Sequence, residues 1–312
     1  MTTAQQGEPL LVRDARKKFG DVEALAGASL EVRRGELVGL LGPNGAGKTT
    51  MIRAIAGRVA LDSGSIQLFG RTVTARDPRP EIGVVPQELA VYSLLTAREN
   101  LEAFGVLYGV QGADLKTRVE WALEWSDLKD RAKEPVKRFS GGMKRRLNIA
   151  IGLMHSPAIV LLDEPTVGVD PQSRERIYEM LASLQASGVG VVLTTHHLEE
   201  AERRCERIVI IDHGRIVAAG TLGELLAAAR SGGRTLTMVL EGPWPAGVAV
   251  PEGFSLSADR LTVTVAVEDG GRGVAARIDT VTGLGARVQD LSLAGASLQD
   301  VFIGLTGREL RE

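Results

Sequence analysis

The hydrophobic positions in the first two-thirds of the chain come in short runs, and amphipathic segments with helical spacing separate these runs. This alternation is typical of a sheet whose strands are connected by crossover helices, and it predicts an α/β fold. Several runs are apolar at almost every position, which suits parallel strands buried on both faces. The predicted central strands are Leu37–Leu41, Ile82–Val85, Ile159–Leu162, Gly190–Thr194 and Ile208–Ile211.

Two other patterns interrupt this alternation. Hydrophobic and polar residues alternate more regularly over Leu10–Arg13, Ala28–Val32 and Ser65–Phe69, which predicts an antiparallel layer beside the main sheet. Over about residues 94–150 the apolar residues recur at helical spacings, and a mainly helical insertion is expected there.

The last third of the chain has a different pattern, which predicts a smaller α+β domain. Its final helix is expected to begin at Ser297, which forms a capping box with Asp300, and to end at Gly307. We therefore predict a first domain over residues 1–224 and a second over residues 225–312. The other elements predicted for the second domain are a helix at Leu225–Arg230, a flexible break at Ser231–Gly233, strands at Thr235–Leu240, Leu261–Val267 and about Val288–Leu293, and a helix at about Gly273–Thr282.

Composition and charge exclude several classes of protein. The 312 residues include 37 Lys and Arg and 39 Asp and Glu, so the net charge is −2. Proteins that coat nucleic acid usually show a strong basic excess, so no nucleic-acid partner is expected. No apolar run reaches the ~18 residues of a membrane-spanning helix, and the amino-terminal segment lacks the apolar block of a secretory signal. The lone Cys205 excludes an internal disulfide, and the reducing cytosol is the expected compartment.

A glycine-rich segment lies between the predicted strand Leu37–Leu41 and a predicted helix at Thr50–Ile55. It fits the pattern GxxxxGK[ST], in which backbone N–H groups and the start of the helix bind phosphate oxygens. Lys48 is expected to reach the β- and γ-phosphates of a nucleotide, and Thr49 to hold Mg²⁺. An ordinary strand–turn–helix junction is the alternative. The predicted phosphate-binding residues are Gly42, Pro43, Asn44, Gly45, Ala46, Gly47, Lys48, Thr49 and Thr50.

Two acidic residues directly follow the apolar run Ile159–Leu162. Ligands of α/β proteins bind at the carboxyl ends of parallel strands, so Asp163 is expected to hold Mg²⁺ directly or through a water molecule. Glu164 is the candidate that polarises the attacking water, as a general base would. A solvated acidic turn is the alternative, but the phosphate loop in the same chain favours the catalytic role.

A second loop of serine and glycine precedes a predicted helix and forms another candidate anion site. Its residues are Ser140, Gly141 and Gly142, within the segment Phe139–Leu147. In isolation, such a segment would indicate only a serine that caps a helix.

Together these segments form an ordered set that resembles the ATP-binding-cassette (ABC) family over about residues 10–220. The Walker A motif of that family matches GPNGAGKTT, its Q-loop matches Gln87 in VVPQE, and its signature matches SGGMKRR. Its Walker B and D-loop match IVLLDEPTVGVD, with the D-loop at Asp170, and its switch histidine matches His196 in TTHH. SGGMKRRL and the later SLQDVFIGLTG are most similar to the ABC-2-type exporter ATPases of bacteria, which include the daunorubicin-resistance ATPases.

The resemblance implies an ABC cassette fold, a P-loop NTPase with a mainly parallel core sheet, an antiparallel β subdomain and a helical subdomain. It implies an ATP hydrolase that binds ATP and Mg²⁺, with Gln87 joining the metal site. The implied catalytic residues are Lys48, Gln87, Glu164 and His196. Phe19 aligns with the aromatic residue that stacks on adenine, although Tyr is more common at that position.

The resemblance also implies that two cassettes pair head to tail. The loop Ser140–Gly142 of one chain then covers the γ-phosphate held by Lys48 of the other chain. Asp170 of the D-loop is also expected among the nucleotide-binding residues. Phe139 and Val169 stand where the family usually has Leu, and neither change removes a group that takes part in the chemistry.

An integral membrane permease is the second partner that the resemblance implies. Gln87 couples the nucleotide to this partner, and Tyr92, Leu94 and Leu95 are expected to be exposed beside it. The chain is then expected at the cytoplasmic face of the cell membrane, where it drives efflux of drugs, antibiotics or other amphiphiles.

Two other readings compete with the transporter. An ABC ATPase for chromosome maintenance would need a long heptad insertion between residues 50 and 139, and one for translation would carry two cassettes. A nucleotide-binding regulator without hydrolysis would be expected to lack Glu164 or His196. The spacing of the helix after His196 also predicts ion pairs between Glu199 and Arg203 and between Glu200 and Arg204.

Overall fold

The computed structural model of the protein describes residues 9–228, 234–267, 270–295 and 297–306. The chain divides into two compact units, with the division between Thr221 and Leu222. This division lies slightly before the predicted boundary after residue 224, because the helix predicted to start at Leu225 already starts at Leu222.

The first unit contains one mixed and one antiparallel sheet. Its strands are β1 (Leu10–Phe19), β2 (Val22–Val32), β3 (Leu37–Leu41), β4 (Ser63–Leu68), β5 (Arg71–Val73), β6 (Ile82–Val85), β7 (Ile159–Asp163), β8 (Gly190–Thr195), β9 (Arg207–Asp212) and β10 (Arg215–Gly220). The larger sheet has the order β10-β9-β3-β8-β7-β6 and is parallel except for the edge strand β10. The smaller sheet has the antiparallel order β2-β1-β4-β5. The predicted mainly parallel core with an antiparallel layer is confirmed, although β5 and β10 were not predicted.

Burial explains why the apolar runs form the centre of the larger sheet. Every residue of β3, β7 and β8 is buried, which is the environment that continuous apolar strands require. The helices of this unit are α1 (Lys48–Ile55), α2 (Ala97–Leu107), α3 (Gly112–Trp125), α4 (Gly141–Ile151), α5 (Pro171–Ala186) and α6 (Leu198–Arg204). Met51 and Ile55 of α1 are fully buried in a core formed with both sheets, so the phosphate-loop helix is fixed at its base.

The predicted helical insertion consists of α2, α3, two short 3-10 turns and α4. It has its own core, in which Leu101, Leu123 and Leu147 are fully buried. Thr96 begins α2 with a capping box, because its hydroxyl accepts from the backbone N–H of Glu99 and the Glu99 carboxylate accepts from the N–H of Thr96.

The second unit is an α+β fold. Its elements are α7 (Leu222–Ala228), β11 (Arg234–Leu240), β12 (Phe254–Leu256), β13 (Thr262–Val267), α8 (Gly270–Gly283), β14 (Val288–Ala294) and α9 (Leu298–Thr306). The antiparallel sheet has the order β12-β13-β11-β14, and Val281 of α8 packs in its core with Leu236 and Met238. The expected capping box joins Ser297 and Asp300. The predicted break at Ser231–Gly233 and the helix end at Gly307 lie outside the described residues.

Within the described ranges, no helix has the length and the hydropathy that crossing a membrane requires.

Candidate nucleotide site

The candidate site begins with a tight loop between β3 and α1. Gly45 and Gly47 have positive φ angles of 82° and 111°, which favour glycine. A Cβ atom at Gly42 would lie 2.2 Å from the carbonyl oxygen of Ile211 in β9. One at Gly47 would lie 2.5 Å from the carbonyl oxygen of Ala24 in β2. Glycine at these two positions therefore lets the loop backbone pass close to both β9 and β2.

A cleft of about 400 Å³ opens beside this loop. Lys48 is only 5% exposed, and its Nζ donates to the carbonyl oxygens of Gly42 at 2.6 Å and Pro43 at 3.2 Å. Burial lowers the pKa of Lys48, while the carboxylates of Glu164 and Asp163 oppose that shift. The cleft is lined by Ala24, Pro43, Asn44, Gly45, Gly47, Lys48, Thr49, Thr50, Gln87 and Glu164.

The structure brings the predicted Mg²⁺ residues together next to the loop. Oδ1 of Asp163 accepts a hydrogen bond from the Thr194 hydroxyl at 2.7 Å, and the Thr49 hydroxyl lies 3.4 Å from the same oxygen. Thr49, Gln87 and Asp163 line a second, adjacent cleft of about 270 Å³. Their hydroxyl, amide and carboxylate oxygens are the hard ligands that Mg²⁺ prefers.

These residues fit a metal that is shared with phosphate groups. The described residues contain no group of three or more His, Cys, Asp and Glu side chains that would hold a metal ion. Mg²⁺ in nucleotide enzymes is commonly bound through one or two protein side chains together with phosphate oxygens and water, so a small donor set is sufficient.

Glu164 is the point where three of the predicted catalytic residues meet. Gln87 Nε2 donates to its Oε2 at 3.0 Å, and His196 Nδ1 lies 3.1 Å from its Oε1. Lys48 Nζ is 3.9 Å from the same Oε1. The backbone of Glu164 has a positive φ of 47°, unusual for a residue with a side chain, and its N–H donates to the Thr194 hydroxyl at 2.9 Å. This carboxylate therefore lies in the wall of the cleft, held in an uncommon conformation.

The signature loop lies in a second group of residues, next to the start of α5. Ser140 caps α4 by accepting from the N–H of Met143 at 3.2 Å. A Cβ atom at Gly142 would lie 2.1 Å from Oγ of Ser173, so the two helix starts are in close contact. Asp170 caps α5 by accepting from the N–H of Ser173, and this hydrogen bond lowers the pKa of Asp170. Ser140, Gly141, Gly142 and Asp170 are not among the described residues that line the phosphate cleft.

Three other predicted nucleotide contacts lie outside the cleft lining. Phe19 ends β1, is 49% exposed and has Lys17 Nζ 5.4 Å from the centre of its ring. Its hairpin partner β2 carries Ala24, which does line the cleft, so stacking of Phe19 on adenine stays a prediction. Gly42 and Ala46 are buried behind the surface of the loop.

Sequence reasoning missed Ala24 and Thr194. The Thr194 hydroxyl joins Asp163 to the backbone of Glu164, and Ala24 lines the cleft beside Gly47. A hydroxyl residue at the carboxyl end of an otherwise apolar strand was a usable signal for Thr194. No local signal marks Ala24, because its place in the cleft depends on how β2 of the smaller sheet packs beside the loop after β3 of the larger sheet.

The fold and the site together define a phosphate-loop nucleotide hydrolase. A glycine-rich loop at a helix start holds a buried lysine, and two carboxylates lie at the carboxyl end of the parallel strand β7.

The sequence comparisons identify which group of such proteins this is. The model of a family described as ABC transporter matches residues 25–167. The linearmycin resistance ATP-binding protein of Bacillus subtilis (strain 168) is 45% identical over 230 residues, which are 73% of either chain. The daunorubicin resistance ATP-binding protein of Streptomyces coeruleorubidus is 37% identical over 308 residues, which are 97% of either chain.

Solved structures agree with these relatives. The ATP binding subunit of an ABC transporter superposes with a TM-score of 0.63 at 32% identity, over 70% of this chain and 92% of that one. An ATP-binding cassette, solved as a dimer bound to ADP and phosphate, superposes with a TM-score of 0.61 at 28% identity, over 68% of this chain and 98% of that one. The chain belongs to the ABC transporter family, as an ATP-binding and ATP-hydrolysing subunit, and the predicted resemblance to the ABC-2-type exporter ATPases is confirmed.

Proposed function

We propose that this ATPase energises a separate membrane permease of the ABC-2 type, which exports a drug, an antibiotic or another amphiphile. The observation that carries the proposal is the similarity to the daunorubicin resistance ATP-binding protein, which extends over 97% of this chain and so includes the second unit. The proposed location is the cytoplasmic face of the cell membrane, where the permease would hold the chain.

The first step is the binding of the nucleotide phosphates. The cleft is lined at the start of α1 by residues whose backbone N–H groups can donate to phosphate oxygens, namely Gly45, Gly47, Lys48 and Thr49. Lys48 Nζ can exchange its two carbonyl partners for phosphate oxygens. Thr49, Asp163 and Gln87 would hold Mg²⁺. When bound, this ion neutralises charge that develops on the β- and γ-phosphate oxygens.

The second step is the activation of water. Glu164 accepts the proton of the attacking water, because its carboxylate lies in the cleft wall beside Lys48. His196 and Gln87 hold the two carboxylate oxygens from either side and fix the direction in which the base points. His196 is also proposed to contact the γ-phosphate.

The third step requires a second copy of the chain. Ser140–Gly142 and Asp170 form their own group away from the phosphate cleft, so we propose that they complete the site of the partner cassette. The Ser140 hydroxyl and the N–H groups at the start of α4 would then bind the γ-phosphate held by the partner.

The proposed docking surface for the permease lies beside Gln87. Leu94 is 77% exposed and Tyr92 is 51% exposed, with the ring of Tyr92 stacked on Phe104 at 5.4 Å. Leu95 differs from the expectation, because it is partly buried and its carbonyl oxygen accepts from the N–H of Val136. The docking surface is therefore assigned to Tyr92 and Leu94.

Charge substitutions test this surface. Leu94→Glu and Tyr92→Glu should reduce the recruitment of the chain to membranes that contain the co-expressed permease, or uncouple ATP hydrolysis from transport, while ATP binding remains. Val217→Glu, at an exposed position of the edge strand β10, is the matched control. Membrane fractionation and substrate efflux are the measurements. If recruitment and efflux survive both substitutions, the permease docks elsewhere.

A further inference from the structure

One buried carboxylate has no part in the mechanism above. Glu200 lies in the first turn of α6 and is 8% exposed. A buried carboxylate loses its hydration and persists in a folded protein only when other groups compensate it. The spacing along α6 predicted an ion pair with Arg204, but Arg204 instead contacts Glu175, so Glu200 has different partners.

The partners of Glu200 come from outside its own helix. Its Oε2 accepts from the hydroxyls of Tyr178 at 2.7 Å and Thr166 at 2.9 Å, and the Thr195 hydroxyl lies 3.4 Å away. Its Oε1 lies 3.3 Å from Nε of Arg174. Burial and the Glu200 carboxylate raise the pKa of Tyr178, so this hydroxyl remains a donor at physiological pH.

Each partner belongs to a segment that carries a proposed functional residue. Thr195 is the last residue of β8 and directly precedes His196. Thr166 follows Glu164 by two positions in the turn after β7. Arg174 and Tyr178 lie in α5, whose capping residue is Asp170.

The local backbone explains why such a connection is needed. The positive φ of Glu164 is a conformation that a residue with a side chain adopts only when its surroundings hold it. Thr194 holds the N–H of Glu164 from one side. Thr166, bound to Glu200, holds the turn from the other side. The Thr195 hydroxyl also accepts from the N–H of His197 at 3.0 Å, which connects the same network to the segment after His196.

We propose that Glu200 is a positioning residue for ATP hydrolysis, which fixes the segments of Glu164, His196 and Asp170 relative to one another. It is not among the described residues that line the phosphate cleft, and it acts through Thr166, Thr195 and α5. The inference rests on the roles proposed above for Glu164 and His196. Since the three segments meet at one carboxylate, a change in any of them is transmitted to the other two.

The first test compares Glu200→Ala and Glu200→Gln in the full chain. Loss of an outer-shell partner of a metal ligand typically costs about 10- to 100-fold in activity, and we expect a fall of similar size in kcat for Glu200→Ala. KM and nucleotide affinity should remain within about threefold, because the phosphate loop does not contact Glu200. Glu200→Gln should lose less, because its amide oxygen still accepts from two hydroxyls. Glu199→Gln, at the exposed neighbouring position, is the matched control and should retain wild-type kcat.

The second test separates positioning from simple stabilisation. Tyr178→Phe and Thr195→Val each remove one hydroxyl and preserve the shape of the side chain. Each should lower kcat in the wild-type chain and have almost no further effect in the Glu200→Ala chain, because the acceptor of both hydroxyls is absent there. A role limited to stability would lower the unfolding temperature and leave kcat of the folded enzyme unchanged.

The proposal is overturned if kcat of folded Glu200→Ala stays within about twofold of wild type. It is also overturned if the hydroxyl deletions add fully to Glu200→Ala. If Glu200→Ala fails to fold, the two hydroxyl deletions in the wild-type chain decide by the same kcat criterion. Glu164→Gln is measured in parallel, so that a failure of the proposed base is recognised separately from a failure of Glu200.

Discussion

Replacing Glu164 with glutamine removes the proposed base and little else. The amide has nearly the shape of the carboxylate and can keep an oxygen toward Gln87 Nε2, which lies 3.0 Å from Oε2. It cannot accept a proton from water. His196 Nδ1 and Lys48 Nζ, at 3.1 Å and 3.9 Å from Oε1, lose their charged partner.

The size of the effect follows from these contacts. A positioned general base contributes roughly 10²- to 10⁴-fold to a rate, which is about 3 to 5 kcal/mol of activation free energy. Two opposite charges at the 3.9 Å between Lys48 and Glu164 attract by about 4 kcal/mol at an effective dielectric constant of ~20. When the substitution removes that attraction and the repulsion between Glu164 and phosphate, Lys48 is free to bind phosphate. We therefore expect kcat to fall at least ~10²-fold while ATP affinity stays equal or rises.

The assay is single-turnover and steady-state ATP hydrolysis, with nucleotide binding measured separately. Because we propose that two cassettes close before hydrolysis, the Glu164→Gln chain should also accumulate as an ATP-bound dimer in size-exclusion chromatography. ATPase activity within about tenfold of wild type would refute the assignment of Glu164 as the base. Loss of ATP binding would refute the claim that the carboxylate acts in the chemical step alone.

Three further results are expected. A mixture of Lys48→Ala and Ser140→Arg chains should have higher ATPase activity than either chain alone, because their heterodimer keeps one intact composite site. An inactive mixture in which heterodimers are shown to form would contradict this. A chain cut near Ser231 should still bind ATP, since the cleft is lined by residues of the first unit. Loss of ATP binding in a folded truncation would contradict the hypothesis that the second unit is purely accessory. Asp163→Asn should raise the Mg²⁺ concentration needed for half-maximal hydrolysis, and an unchanged Mg²⁺ dependence would remove Asp163 from the metal site.

Much of the core and of the site follows from local sequence. β3, β7 and β8 are recognisable because each is buried along its whole length, so every position must be apolar or bonded internally. The phosphate loop is recognisable because some of its positions leave no room for a side chain. At Gly47, for example, a Cβ atom would lie 2.5 Å from the carbonyl oxygen of Ala24. Burial and steric exclusion of this kind restrict which residue type can stand at a position, so the sequence records them.

The elements that the sequence did not predict depend on long-range pairing. β10 alternates partly exposed and exposed residues over most of its length at the edge of the sheet, so its short pattern carries little signal without its partner β9. Glu200 shows the same limit at the site. Its spacing fits Arg204 on the same helix, yet the fold places Tyr178 and Thr166 closer to its carboxylate. Helical spacing identifies neighbours along one helix and cannot identify neighbours across two.

The central claim is that this ATPase drives a membrane permease. The most direct measurement is to isolate the tagged chain from its native membranes in mild detergent, identify the bound proteins by mass spectrometry and assay the complex for ATP hydrolysis. We expect one polytopic membrane protein to co-purify in stoichiometric amount, and the ATPase activity of this complex to be lost in Glu164→Gln. A native preparation in which no permease is bound, while ATP hydrolysis proceeds at its normal rate, would contradict the transporter function.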